Sequence, residues 1–129
     1  MAVELLTLDE VLAIHAHQIR RYGGRPGLRD RALLESALAM PRAAFAGHEL
    51  HESLFEKGAA YLFHLVRNHP FIDGNKRVGL AVCLVFLRLN GVAIQASDDE
   101  LVDLVLGLAG GTAAKADVAV FLSRHVRAR

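Results

Sequence analysis

His69, Asp73, Asn75, Lys76 and Arg77 fall within one short stretch, "HPFIDGNKR". Each residue type there has a distinct chemical capacity. An imidazole can take or give a proton near neutral pH. A carboxylate can hold a hard divalent cation. Two cations next to free backbone N–H groups can hold an anion. The neighbouring segments, "YLFHLV" before and "VGLAVCLVFL" after, are almost wholly apolar. The polar island is therefore expected to be a loop joining two buried helices. Pro70 keeps the helix before it from continuing smoothly through His69, and Gly74 permits a tight turn before the next helix. Asn75, Lys76 and Arg77 then occupy a first helical turn, where unpaired N–H groups and the helix dipole favour an anion. Cations at that end oppose the dipole by about 0.3–1 kcal/mol each, and a bound polyphosphate removes the conflict. Asp73 is placed to hold a divalent cation bridging such phosphates. His69 is the candidate general base at the mouth. Phe71 and Ile72 are expected to anchor the loop, one or both turned into the core. The same letters also suit an ordinary His-Pro and Asp-Gly-Asn turn with an exposed cation pair, so the residues alone leave two readings open.

The elements that must position this loop read as helices. "TLDE" at Thr7–Glu10 is a capping box, followed by Leu8, Val11, Leu12, His15, Ile19 and Tyr22 at helical spacing, with Gly23 and Gly24 as the stop. A second helix starts near Asp30 and ends at Pro41. "SLFE" at Ser53–Glu56 opens a third, running to about Asn68. The fourth runs from about Asn75 to Asn90 with Gly91 as its stop, and is apolar on almost every face, so it is expected to be the buried central helix. "SDDE" at Ser97–Glu100 caps a fifth that Gly110 and Gly111 end, and a sixth runs from about Ala113 into the tail. Only "GVAIQA" looks strand-like. The expected fold class is all-α, a bundle of about six helices around a buried central helix.

Composition bounds the rest. A chain of 129 residues with 53% hydrophobic and 22% charged residues suits one compact domain, residues 1–129, and argues against disorder. Fifteen Lys+Arg against fourteen Asp+Glu leave a formal charge of +1, too balanced for a protein whose main task is gripping a nucleic-acid backbone. The basic tail "RHVRAR" reads as a solvated helix end. Cys83, the single cysteine, excludes an internal disulfide and a cysteine-based zinc site, and its apolar surroundings suit a buried, inert thiol. No charged-then-apolar leader opens the chain, and no apolar run reaches the ~18 residues of a membrane span, so a soluble cytoplasmic protein is expected. His15, His17, His64 and His125 are expected to fill half-buried or surface positions on helices. "HELHE", His48 to Glu52, looks metal-like but lacks the i, i+4 histidine spacing of a helical zinc site.

"HPFIDGNKR" resembles the signature of the Fic/Doc family, His-x-Phe-x-Asp/Glu-Gly-Asn-Gly/Lys-Arg. Its Lys form is similar to that of the Doc, or death-on-curing, branch. "YGGRPGLRDRALLESALAMP" resembles the Doc-type N-terminal segment, and "FLRLNGVAI" resembles the family's segment just after the motif. The resemblance implies a helical bundle with this loop ahead of a central helix. It implies His69 as catalytic base, Asp73 as the Mg²⁺ ligand, and Gly74 and Asn75 as the anion hole for nucleotide phosphates. It further implies phosphate contacts from Lys76 and Arg77, with Phe71 packed into the core to hold His69. Adenylylating Fic enzymes have Gly where this chain has Lys76, and a second Arg where it has Leu80. Doc toxins share both departures and pass the γ-phosphoryl group of ATP to a threonine of elongation factor Tu, stalling translation. The resemblance thus implies a toxin kinase dependent on ATP and Mg²⁺, neutralised by a small DNA-binding, Phd-like antitoxin that folds as a helix into an apolar groove. It also implies that the segment before the third helix forms a flap that docks the target. A nucleotidyltransferase using the same loop, or a silent binding module, are the alternatives.

Overall fold

A computed structural model describes residues 2–128. Its helices are α1 (Leu8–Tyr22), α2 (Arg31–Ala39), α3 (Leu54–Asn68), α4 (Asn75–Leu89), α5 (Asp98–Gly110) and α6 (Lys115–Arg124). A 3₁₀ turn (Met40–Arg42) and a two-stranded antiparallel hairpin, β1 (Ala44–Phe45) with β2 (His48–Glu49), lie between α2 and α3. The capping boxes are where the sequence places them. Thr7, Ser53 and Ser97 each accept from the backbone N–H three residues on, and Glu10, Glu56 and Glu100 each reach back to the cap's own N–H. These bonds satisfy donors that a helix start otherwise leaves unpaired. Asp30 caps α2 with its side chain, accepting from Leu33 N–H, and Gly111, at φ 83°, ends α5 in the left-handed conformation that glycine adopts without Cβ strain.

The hub of the bundle is α3 rather than α4. It packs on α2, the 3₁₀ turn, α4, α5 and α6, and buries Ala59, Ala60, Tyr61, Leu62 and Leu65. Small residues allow the close approach of α3 and α4. A Cβ on Gly79 would lie 3.1 Å from Leu62 Cδ1 and 3.3 Å from Val66 Cγ2, and one on Gly58 would lie 3.4 Å from Cys83 Sγ. Helix α4 buries Val78, Val82, Phe86 and Leu87 on that side. Its outer side leaves Val85 and Leu89 exposed, so its uniformly apolar composition overstates its burial. Cys83 is buried, and burial pushes its thiol up to about 12.

Two further expectations need correction. The sixth helix stops at Arg124, and the tail turns back in extended form instead of running on into solvent. Gln95 donates to His125 O (2.7 Å) and Arg127 donates to Ala93 O (2.8 Å), with Ile94 opposite Val126. "GVAIQA" therefore pairs only as an isolated bridge, while the hairpin forms in the segment that holds "HELHE". In that segment the buried ammonium of Lys57 donates to His51 O and pairs with Glu49 Oε1 at 3.3 Å, tying the hairpin to α3. His51 is buried with its Nδ1 3.0 Å from Met40 O, and Phe45 stands 78% exposed at the hairpin. Among the described residues, no helix is long and apolar enough to cross a membrane.

Candidate active site

The loop between α3 and α4 starts at an unusual backbone position. His69 sits at φ 50°, ψ 53°, a left-handed conformation that costs a non-glycine residue on the order of 1–2 kcal/mol. Arg29 offsets this strain. Its Nε donates to His69 O at 2.6 Å and its Nη2 to Asn68 O at 3.0 Å, so one guanidinium satisfies the last carbonyls of α3 and adds a cation at the negative end of the helix. The backbone beside Arg29 grips the same loop. Arg29 and Asp30 N–H groups both donate to Pro70 O (2.7 and 2.9 Å), and Ile72 N–H donates to Gly27 O (3.0 Å). Phe71 is fully buried, while Ile72 is 40% exposed, so only the first of the two expected anchors enters the core.

Asn75, at the start of α4, organises the interior of the loop. Its Oδ1 accepts from Phe71 N–H and its Nδ2 donates to Phe71 O, both at 2.9 Å. That reciprocal pair fixes the orientation of the amide, because a flipped amide would lose both bonds. The second Nδ2 hydrogen is then available to His69 Nδ1, 3.0 Å away. In this arrangement Nδ1 is the acceptor and the neutral ring carries its proton on Nε2. His69 itself is exposed at the mouth.

Asp73 is held from three directions. Its Oδ1 accepts from Gly74 N–H (2.8 Å) and its Oδ2 from Arg25 N–H (3.0 Å). These two backbone donors, Arg25 N–H first, with lesser help from the Arg77 and Arg25 charges, hold its carboxyl below the usual carboxylate range. Its backbone carbonyl accepts from His15 Nε2 at 2.8 Å, and the His15 ring stacks on Phe71 with centroids 3.8 Å apart and planes 7° from parallel. Gly24 makes room for the carboxylate. Its φ is 116°, and a Cβ there would stand 2.8 Å from Asp73 Oδ2.

His69, Asp73, Gly74, Asn75, Lys76 and Arg77 all line one cleft of about 440 Å³, walled by Val66, Ile72 and Ala109. Gly74 is the N-cap of α4 at φ 76°, and no side chain caps the helix. Intrahelical bonding begins with Val78 N–H to Gly74 O, which leaves the first-turn N–H groups free to meet an anion. Lys76 is exposed. Arg77 is already engaged, its Nη1 donating to Gly23 O (2.8 Å) and Gln18 O (3.2 Å), so it closes the end of α1 while bordering the cleft. A divalent cation suits this donor set. Each Asp73 oxygen accepts one N–H and keeps a lone pair, and a single carboxylate matches Mg²⁺, which takes its other ligands from phosphate and water. Among the described residues no group of three or more His, Cys, Asp or Glu could hold a metal ion without such a substrate.

Sequence reasoning missed the supporting roles of His15, Gly24 and Arg29, which hold the loop from outside it. His15 did carry a signal. It stands on the buried face of α1 with Val11 and Ile19, where a histidine needs a polar partner.

This loop, which carries the motif resembling the Fic/Doc signature, lies between α3 and α4 and is gripped by the segment after α1. Residues 5–87 match the Fic/DOC family, and the chain belongs to that family. It is 41% identical over 116 residues to the protein kinase Doc of Escherichia phage P1, covering 90% of each chain. It is 42% identical over 78 residues to the toxin Doc of Mycolicibacterium smegmatis, covering 60% of each.

Proposed function

We propose that this protein is a Doc-type toxin kinase, transferring the γ-phosphoryl group of ATP to a Ser or Thr hydroxyl of a translation factor, with elongation factor Tu the leading target. The observation that carries the reading is the shared cleft. It sets a histidine lone pair, an ionised carboxylate and the uncapped N-terminus of α4 around one space. The first-turn N–H groups with Lys76 and Arg77 would bind the phosphates. Asp73 would hold Mg²⁺ against them, and that ion supplies charge neutralisation on the transferring group. His69 takes the proton of the incoming hydroxyl on Nδ1. In the free protein that lone pair accepts from the Asn75 amide, so the proposed proton transfer requires this N–H to give way as the hydroxyl arrives. The hydroxyl oxygen bonds to the γ-phosphorus, the bond to the β-bridging oxygen breaks, and ADP leaves.

Lys76 and Leu80 favour phosphoryl over nucleotidyl transfer. A Lys in the first turn occupies space that Gly would leave to a phosphate, and Leu80 offers no charge one turn on. The resemblance to a protein kinase supports the same choice. Purified protein incubated with elongation factor Tu, ATP and Mg²⁺ should label the target from γ-labelled and not from α-labelled ATP. His69→Ala should lower the rate by about 10²–10⁴-fold and abolish growth arrest on expression in bacteria. Label from the α-position would reassign the protein as a nucleotidyltransferase.

A toxin of this kind needs a neutralising partner, and a Phd-like antitoxin is the expected one. The outer side of α4 offers an apolar groove for it, lined by Leu84, Val85, Leu89, Val92 and Ile94 with Arg88 at the edge. Co-expression with the product of a neighbouring reading frame should give a co-purifying complex, which Val85→Glu should weaken.

A further inference from the structure

We infer that His15 is a positioning residue for the reaction, acting on Asp73 through the Asp73–Gly74 peptide; the inference rests on the reading of Asp73 as the cation ligand. This peptide unit is pinned at both ends. Its oxygen accepts from His15 Nε2 (2.8 Å), and its N–H donates to the Asp73 carboxylate (2.8 Å), whose other oxygen takes the Arg25 N–H (3.0 Å). Rotation of the unit would turn the Gly74 N–H, at the threshold of the phosphate nest, away from Asp73 Oδ1 and so free the carboxylate that faces the cation. Gly74 provides no steric brake of its own, since it already sits at φ 76°. The brake is the imidazole. His15 is 4% exposed and cannot swing away, because its ring lies flat against buried Phe71 at 3.8 Å. Since a carbonyl oxygen can only accept, Nε2 must carry the proton, and His15 keeps this donor role whether neutral or charged. A ring nitrogen on α1 thereby sets the geometry of a loop 58 positions away.

Two substitutions separate the hydrogen bond from the packing. His15→Phe keeps the aromatic stack and removes the donor. His15→Gln removes the stack and returns an N–H donor at a similar reach. The first measurement needs no ligand: exchange of the Gly74 amide hydrogen, followed by NMR in the free protein. It should speed up in His15→Phe and return toward the wild-type rate in His15→Gln. The second is binding of Mn²⁺ in the presence of a non-hydrolysable ATP analogue, followed by electron paramagnetic resonance. His15→Phe should weaken it by roughly 10-fold, within the range seen when partners of a metal ligand are removed, and His15→Gln should recover part of the loss. Wild-type amide exchange and Mn²⁺ affinity in a folded His15→Phe protein would overturn the inference. So would a greater loss in His15→Gln than in His15→Phe, which would mark His15 as packing alone. Failure of the wild-type protein to bind Mn²⁺ would instead sink the reading of Asp73 as a cation ligand, and amide exchange would still decide the role of His15 in holding the peptide.

Discussion

Gly24 shows how much of the site depends on residues with no chemistry of their own. Its φ of 116° and the 2.8 Å gap between a would-be Cβ and Asp73 Oδ2 leave no space for a side chain. Gly24→Ala should therefore push the carboxylate off the Arg25 N–H and strain the backbone by on the order of 1–3 kcal/mol. In the proposed phosphoryl transfer a fall of about 10–100-fold should accompany a smaller change in the unfolding midpoint, with kinetics and urea titration read on the same sample. At this scale the sequence showed the candidate site residues and concealed their supports. His69, Asp73, Asn75, Lys76 and Arg77 stand together because the motif is local. Arg29 and His15 act across the chain, on partners 40 and 58 positions away, and Gly24 likewise meets Asp73 from the far side of α2; no spacing rule links them.

Among the elements, the pair α3 and α4 decides where the loop sits, and Gly79 decides how close that pair comes. The contact of its would-be Cβ with Leu62 at 3.1 Å tolerates little growth. Gly79→Val should lower stability by about 1–3 kcal/mol through overpacking, measurable as a lower urea midpoint. The helix boundaries were legible because caps are short-range chemistry, and Thr7, Ser53, Ser97 and Gly111 all mark them correctly. Which helix is the hub was not, since composition records apolarity and not neighbours. The centre falls to α3, whose Gly58, Ala59 and Ala60 admit other helices on several sides. The return of the tail onto residues 93–95 was equally hidden, because an extended pairing between distant backbones leaves no mark in side-chain periodicity.

For the whole molecule, pH acts on stability through His64. It lies on α3 with Lys115 Nζ 3.1 Å from its Nε2, where the ammonium donates to the neutral ring. Burial, then the charge of Lys115, lower its pKa from 6.5 to about 4. The folded state thus disfavours the charged ring, whereas the unfolded chain protonates it near its ordinary value. The stabilisation is present in full above about pH 6.5 and is lost as pH falls through about 4. His51, also lowered chiefly by burial, acts in the same direction. Between about pH 7.5 and 4.5 the wild type should lose on the order of 1–2 kcal/mol more than His64→Gln, a figure discounted for the ring's remaining exposure. Urea unfolding of both proteins at the two pH values checks this.

The clamp running from Gly23 to Asp30 has a consequence for the order in which the protein becomes dangerous. Its bonds to the loop and to the start of α4 join residues tens of positions apart, Arg29 to Asn68 and Gly23 to Arg77 among them. A ribosome releases the clamp first, while the loop it will hold has yet to be made, so the growing chain carries neither His69 and Asp73 nor the first turn of α4. The same arrangement separates activity from helicity in the finished protein. The clamp is irregular and largely exposed, whereas the helices rest on their own buried contacts. A single proteolytic cut there would release the grip on Pro70 and Ile72 and leave the bundle standing, so the protein can be disarmed without being unfolded.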